Sequence, residues 1–227
     1  MLHTVTSHVR VENKELMLCL GDRFEILAAA TAAHLLRVPI AHIGGGDVTE
    51  GSYDDAMRDA ISRMAAVHFV TSTSAMARLS HMGLRNVHLV GNPGIDYIRN
   101  AQWRSVRPIA EPYVVVSYQA ETISEDFDIG QEIARWWFPL MEIKVKKVFL
   151  RPNPDRGIKE INDLIDGCDE TDIAHDFLPH AEYLNLIAHC EELIGNSSSL
   201  LYEAPELGIR TRMIGKRQKG RTLPWGD

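Results

Sequence analysis

A chain of 227 residues with 45% hydrophobic and 24% charged residues has apolar material enough for one large globular domain or two modest ones. Its formal net charge of −7 at pH 7 argues against nucleic acid or an anionic membrane surface as the main partner, since both are polyanions. Three cysteines (Cys19, Cys168 and Cys190) lie far apart without a CxxC or Cys/His zinc pattern, and read as small core residues in a reducing compartment. No apolar stretch approaches the ~20 residues of a membrane span, and "MLHTVTSHVRVENKELMLCLGD" lacks the apolar core of a secretory signal. A cytoplasmic location is therefore expected.

In chain order, "ELMLCLGD" predicts a buried strand ending at Gly21 and Asp22, and "RFEILAAATAAHLLRV" a helix. "PIAHIGGGD" is a second strand, closed by three glycines, and "YDDAMRDAISRMAAV" an amphipathic helix with Ala56, Ile61 and Met64 inward. "HFVTS" reads as a strand, "TSAMARLSHMG" as a helix, and "VHLVGNPGID" as a strand running into a Gly/Pro turn. The polar, proline-bearing "RNAQWRSVRPIAEP" is a linker. Alternation restarts with "YVVVSYQ" as strand, "DFDIGQEIARWWFPLMEI" as helix and "KKVFLRPNP" as strand. Two helices, "GIKEINDLID" and "AEYLNLIAHC", precede the strand "ELIGN", the helix "SLLYEAPELG" and the last strand "IRTRMIG". Such alternation predicts an α/β protein with parallel sheets, in two units, 1–104 and 105–227.

Ligands of parallel α/β sheets bind outside the carboxyl ends of the strands, and the distinctive motifs all stand at such ends. In "GNSSSLLYEAP", backbone N–H groups at a helix start and the hydroxyls of Ser197, Ser198 and Ser199 suit a phosphate. Glu203, one turn beyond Ser199, suits a ribose diol. The same residues also read as a capped turn, with Ser199 as N-cap. "DRFE" and "GGGDVTEGSYDD" gather Asp22, Glu25, Asp47, Glu50, Asp54 and Asp55 near one sheet edge. Close carboxylates push their pKa values apart and so divide into acid and base, although Arg58 can equally pair with Asp54 along a helix. "RPNPDRG" offers Arg151 to a phosphate or base but reads alone as a turn, and "RQKGR" reads as basic surface or phosphate clamp.

The block from "LGDRFEILAAATAAHLLRVPIAHIGGGDVTEGSYDDAMRDAISRMAAVHFVTS" through "VGNPGIDYI", "RPNPDRG", "IGNSSSLLYEAP" and "IGKRQKGR" resembles the hydrolysing UDP-N-acetylglucosamine 2-epimerases of sialic and legionaminic acid synthesis. The resemblance runs from about Leu16 to Arg221 with the motifs in family order. It implies a GT-B-like fold: two Rossmann-like parallel-sheet units with the active site in the cleft between them, the N-terminal one incomplete. The implied reaction is anti elimination of UDP with loss of the C2 proton, then hydration of the glycal to the 2-epimer. Asp22, Asp47, Glu50 and Asp54 would supply the acid–base groups. Ser197, Ser198, Ser199, Glu203, Arg151, Asn153 and Gln119 would bind UDP. No cofactor and no metal are implied; the partners are a UDP-sugar substrate and either a second copy of the chain or a companion segment supplying N-terminal strands. Gln119 stands where the family has histidine, and Leu200 where a glycine usually follows the serines. These departures carry the alternative reading, a catalytically impaired UDP-sugar-binding homologue or fragment.

Overall fold

The alternation of apolar runs and helical segments builds two sheets, one of four strands and one of five, in which every pairing is parallel. The computed structural model describes residues 16–50, 53–100, 104–120, 129–153 and 157–221. The chain divides into one unit of Met1–Pro93 with Lys219–Asp227 and another of Gly94–Gln218. The division thus stands at Pro93/Gly94, earlier than the expected 104/105, and the end of the chain returns to the first unit. Residues 101–103 of the expected linker, 126–128 at the start of the expected tryptophan-bearing helix, and 154–156 of "RPNPDRG" lie outside the described residues.

The first unit runs β1 (Met17–Leu20), α1 (Phe24–Leu35), β2 (Ile40–Ile43), α2 (Asp54–Met64), β3 (Val67–Val70), α3 (Thr73–His81) and β4 (Val87–Leu89). Its strands lie in the order β1-β2-β3-β4. Because each crossover steps to the next strand in one direction, and such crossovers are right-handed, the three helices share one face of the sheet. Cys19, Ala30, Ala33, Ile40 and Ile61 form the core on that face, and Val70, Ala75 and Leu79 continue it under α3. Side chains alternate across a strand. Cys19 is therefore buried, while its neighbours Leu18 and Leu20 are 61% and 66% exposed. Asp54 and Asp55 occupy the first turn of α2 and Arg63 its last, the polarity the helix dipole favours.

The second unit contains α4 (Pro93–Arg99), β5 (Tyr113–Ser117), α5 (Ile129–Met141), β6 (Lys146–Leu150), α6 (Ile158–Asp166) and β7 (Ile173–His175). It continues through α7 (His180–Ala188), β8 (Leu193–Gly195), a 3-10 turn at Ser198–Leu200, α8 (Glu203–Leu207) and β9 (Thr211–Met213). Strand order is β7-β6-β5-β8-β9. From β5 the chain winds outward through β6 to β7, then returns beside β5 and winds the other way, so a topological switch point lies between β5 and β8. Helices consequently cover both faces. Tyr113 and Val115 of β5 enter one core with Leu184 and Ile187 of α7, while Val114 and Val116 enter another with Trp136, Trp137 and Ile161. A strand buried on both sides reads as a continuous apolar run, which is what "YVVVS" is.

Three elements differ from expectation. "GNPGID" opens α4 rather than ending a strand, with Pro93 at its first position, where a missing N–H is harmless. "IAH" forms β7 between the two helices that the sequence pattern runs together. The helix expected over "SLLYEAPELG" is broken into the 3-10 turn and the five-residue α8. A continuous helix would place Pro205 in its interior, where the ring excludes a hydrogen bond.

Candidate functional site

Asp22 follows β1 directly, after Gly21, whose φ of +88° lets the chain turn sharply off the sheet. The turn is fixed from the neighbouring strand. His42 Nε2 lies 3.0 Å from the Gly21 carbonyl oxygen, and Nδ1 lies 3.0 Å from Ser62 Oγ. The carbonyl can only accept, so Nε2 carries the proton and Nδ1 accepts from the serine. That tautomer is neutral, and burial lowers the His42 pKa from its ordinary value, outweighing the Gly21 bond.

Arg58, on α2 and 2% exposed, gathers the carboxyl ends of β1 and β2. Its guanidinium donates to carboxylate oxygens of both Asp22 and Asp55, to the Asp47 carbonyl at 2.7 Å and to Thr49 Oγ1 at 3.1 Å. Asp55 Oδ1 also accepts from the Thr49 amide at 2.9 Å, so the 47–49 loop is held twice. A planar fork with five donors can serve this many acceptors at once; an ammonium cannot. The ion pairs of Arg58 are with Asp22 and Asp55, where sequence spacing had suggested Asp54. Arg78 adds a second cation, 2.9 Å from Asp59 and 3.8 Å from Asp55.

The four expected acid–base residues thus occupy unlike surroundings. Asp22 is ion-paired to Arg58. Asp47 accepts from Thr71 Oγ1 at 3.0 Å, yet burial raises its pKa above the ordinary aspartate value, with Thr71 and Arg58 pulling the other way. Glu50 pairs with Lys219 Nζ at 2.8 Å, and its amide donates to the Lys219 carbonyl at 2.9 Å. Asp54 stands at the first position of α2, half-buried. Among the described residues, no group of three or more His, Cys, Asp or Glu is arranged to hold a metal ion.

In the second unit the loops at the switch point are tied by amides. Gly195 has φ +146°, and a Cβ there would overlap the Ser117 carbonyl, so β5 and β8 approach at a distance only glycine permits. The next residue, Asn196, is fully buried. Its Oδ1 accepts from the Gln119 amide at 2.7 Å, its Nδ2 donates to the Gln119 carbonyl at 2.6 Å, and its own carbonyl accepts from Gln218 Nε2 at 2.7 Å. Gln119 Oε1 in turn accepts from the Asn153 amide at 2.8 Å, which brings the end of β6 into the same set. Gln119 and Asn153 are therefore in contact, with the Gln119 side chain engaged by backbone.

Ser197 caps the 3-10 turn, accepting from the Ser199 amide at 3.3 Å, so the cap is Ser197 and not Ser199. Ser199 is buried beside Glu203 and Tyr183. Burial raises the Glu203 pKa above its ordinary value, an effect the Ser199 hydroxyl only partly offsets, and Glu203 Oε2 has no hydrogen-bond partner among the described residues. A buried carboxylate oxygen in that state is a strong acceptor for a ligand hydroxyl. Arg151 is differently placed. Its guanidinium pairs with Asp166 and with Asp176 at 3.0 Å, and donates to Asn162 at 3.3 Å, so an anion reaching it meets two carboxylates already there.

Arg58, His42, Asn196 and Gln218 were not among the expected site residues. Arg58 carried one local signal, its spacing of three from Asp55, and Asn196 one, its place directly after a strand.

Comparison with known proteins agrees with this architecture. The family model described as UDP-N-acetylglucosamine 2-epimerase matches residues 1–225. The UDP-N-acetylglucosamine 2-epimerase of Neisseria meningitidis is 28% identical over 97% of this chain and 62% of its own length. The UDP-N,N'-diacetylbacillosamine 2-epimerase (hydrolyzing) of Legionella pneumophila is 31% identical over 92% of this chain and 58% of its own. The chain thus spans about three-fifths of the length of these relatives. The crystal structure of the Methanocaldococcus jannaschii UDP-GlcNAc 2-epimerase in complex with UDP-GlcNAc and UDP superposes with a TM-score of 0.76, at 17% identity, over 93% of this chain and 63% of that one. It shares the fold: GT-B-like, built of two Rossmann-like parallel-sheet units. With its strand-end motifs in place and the family model covering nearly every residue, the chain belongs to the UDP-N-acetylglucosamine 2-epimerase family.

Proposed function

We propose that the chain acts as a hydrolysing 2-epimerase on UDP-N-acetylglucosamine or a related UDP-2-acetamido sugar. A base removes the C2 proton as the C1–O bond to UDP breaks, leaving a C1–C2 double bond. Water then adds its hydroxyl at C1 and a proton at C2 on the opposite face, giving the 2-epimer and UDP. The observation that carries this reading is the Arg58 cluster, which gathers Asp22, the Asp47 loop and Asp55 at the carboxyl ends of β1 and β2. We assign proton removal to Asp22, ion-paired to Arg58, and proton delivery to Asp47, whose pKa burial raises. Glu50 and Asp54 complete the acidic set. In the second unit, Ser197, Ser198 and Ser199 are assigned to the diphosphate and Glu203 to the ribose hydroxyls, with Gln119, Asn153 and Arg151 around them. The names of the Legionella relative and of a Campylobacter jejuni relative, 28% identical, both include the word hydrolyzing, which supports water as the second reactant.

Incubation with UDP-N-acetylglucosamine and with UDP-N,N'-diacetylbacillosamine in deuterium oxide tests the reading. UDP should appear together with a free 2-epimer carrying deuterium at C2. If neither sugar releases UDP above the rate in buffer, the catalytic reading fails. Gln119 favours a second reading, a UDP-sugar binder without turnover, because a carboxamide cannot act as general acid or base at neutral pH and its Oε1 accepts from the Asn153 amide. UDP binding by calorimetry without UDP release from either sugar selects it.

A further inference from the structure

We propose that Asn196 is a positioning residue for the nucleotide loop, locking the carboxyl ends of β5 and β8 so that the loop donors are aimed before a diphosphate arrives. This rests on the reading of Ser197, Ser198 and Ser199 as the diphosphate site. The geometry is specific to a carboxamide. One side chain gives an acceptor to the Gln119 amide at 2.7 Å and a donor to the Gln119 carbonyl at 2.6 Å, so it pairs with both backbone groups of a single residue. Its own amide donates to the Ser117 carbonyl at 3.1 Å, and its carbonyl is held by Gln218 Nε2. Backbone and side chain of Asn196 are thus fixed at four points, in a position with no solvent exposure.

The serine segment just beyond Asn196 needs that anchorage. The amides of Ser197 and Ser198 open a 3-10 turn, where N–H groups have no carbonyl within the turn to bond. The helix after it, α8, has only five residues, so little macrodipole helps to gather an anion. Affinity for a diphosphate then depends on donors held in place in advance, since each group that must be ordered on binding subtracts from it.

The test compares N196L with the wild-type full chain for binding of UDP and of uridine, which offers base and ribose but no phosphate. The substitution roughly keeps the size, removes both the acceptor and the donor, and adds no charge beside the diphosphate site. The expected result is a loss of UDP affinity of about tenfold or more, the scale of a broken hydrogen bond to a charged or buried group, with uridine affinity within about twofold of wild type. A general packing defect would weaken both ligands alike, and equal losses overturn the proposal, as does UDP affinity that matches wild type. If N196L does not fold, Q218M replaces it, removing only the bond to the Asn196 carbonyl. It must show the same selective loss, of about threefold, or the proposal fails. Wild-type protein that binds neither UDP nor uridine defeats the nucleotide reading itself, and the positioning role with it.

Discussion

Arg58 donates to Asp22 with one guanidinium nitrogen and to Asp55 with the other, so a single buried cation joins the end of β1 to the first turn of α2. Asp22 and Asp55 are 36 and three residues from it in sequence. Removing one partner of such a pair leaves uncompensated charge, which is far costlier than the pair's net worth. R58M is expected to lower stability by about 3 kcal/mol, the low end of the usual range, because the Asp22 and Asp55 side chains retain 19% and 28% exposure. R58K should recover only part of this, lacking the fork. Urea denaturation measures it, and the R58M/D22N double variant should lose less than the two single losses added. Losses that simply add would mean that the two residues are not coupled.

Gly195 and Gly208 both have positive φ, yet they should respond very differently to alanine. At Gly208, with φ +70° and open space around it, alanine meets only the left-handed backbone penalty of about 1 kcal/mol. At Gly195 the added methyl would overlap the Ser117 carbonyl, and β5 and β8 would have to part. G195A is therefore expected to unfold the second unit or to abolish soluble expression, while G208A stays folded with a modestly lowered midpoint in urea. Equal midpoints for the two variants would contradict the close approach of β5 and β8.

Two buried histidines give the first unit an acid-sensitive core. Burial lowers the pKa of both His42 and His68. In the unfolded chain each takes up a proton below about pH 6.5, but the folded state resists until lower pH. The unfolded state thus binds more protons in that window, and stability falls as pH drops from about 6.5 through it. Asp47 acts in the opposite sense, since burial raises its pKa and folding then favours the protonated form. The histidine contribution is isolated by difference. H42Q, compared with wild type by urea unfolding at pH 8 and at pH 5.5, should lose less on acidification. Parallel losses would exclude His42 as a source.

How much of this was legible depends on how local each cause is. The strands that close with Asp22, "GGGD" and "GNSSS" were readable because apolar runs ending in turn residues are local patterns. β7 was not, since three residues make a strand only through pairing with β6, a partner no short window contains. The helix over the serines failed on Pro205, whose effect is local but was outweighed by the Leu-rich run before it. In the site, the acids were visible as a cluster at strand ends. The roles of Arg58 and Asn196 were not, because their partners Asp22 and Gln119 are 36 and 77 residues away and become neighbours only when parallel strands align their carboxyl ends.

Glu203 connects stability with ligand binding. Burial raises its pKa, so the folded state holds a proton more readily than the unfolded chain does. Its contribution to stability is therefore present at pH below the ordinary glutamate value and is lost as pH rises through the raised one. Whenever it is ionised, this carboxylate, whose Oε2 has no hydrogen-bond partner among the described residues, is a burden on the free protein. E203Q removes the charge and should raise the melting temperature at pH 7, with the gain shrinking as the pH approaches 4. If the carboxylate accepts the ribose hydroxyls, the same substitution should weaken UDP binding about tenfold, the range for hydrogen bonds to charged groups. It should also abolish discrimination between UDP and 2'-deoxy-UDP. Calorimetry at pH 7 with both nucleotides gives the answer. A variant that is more stable yet still prefers UDP over the deoxy form would show that Glu203 is a buried acid without a part in binding.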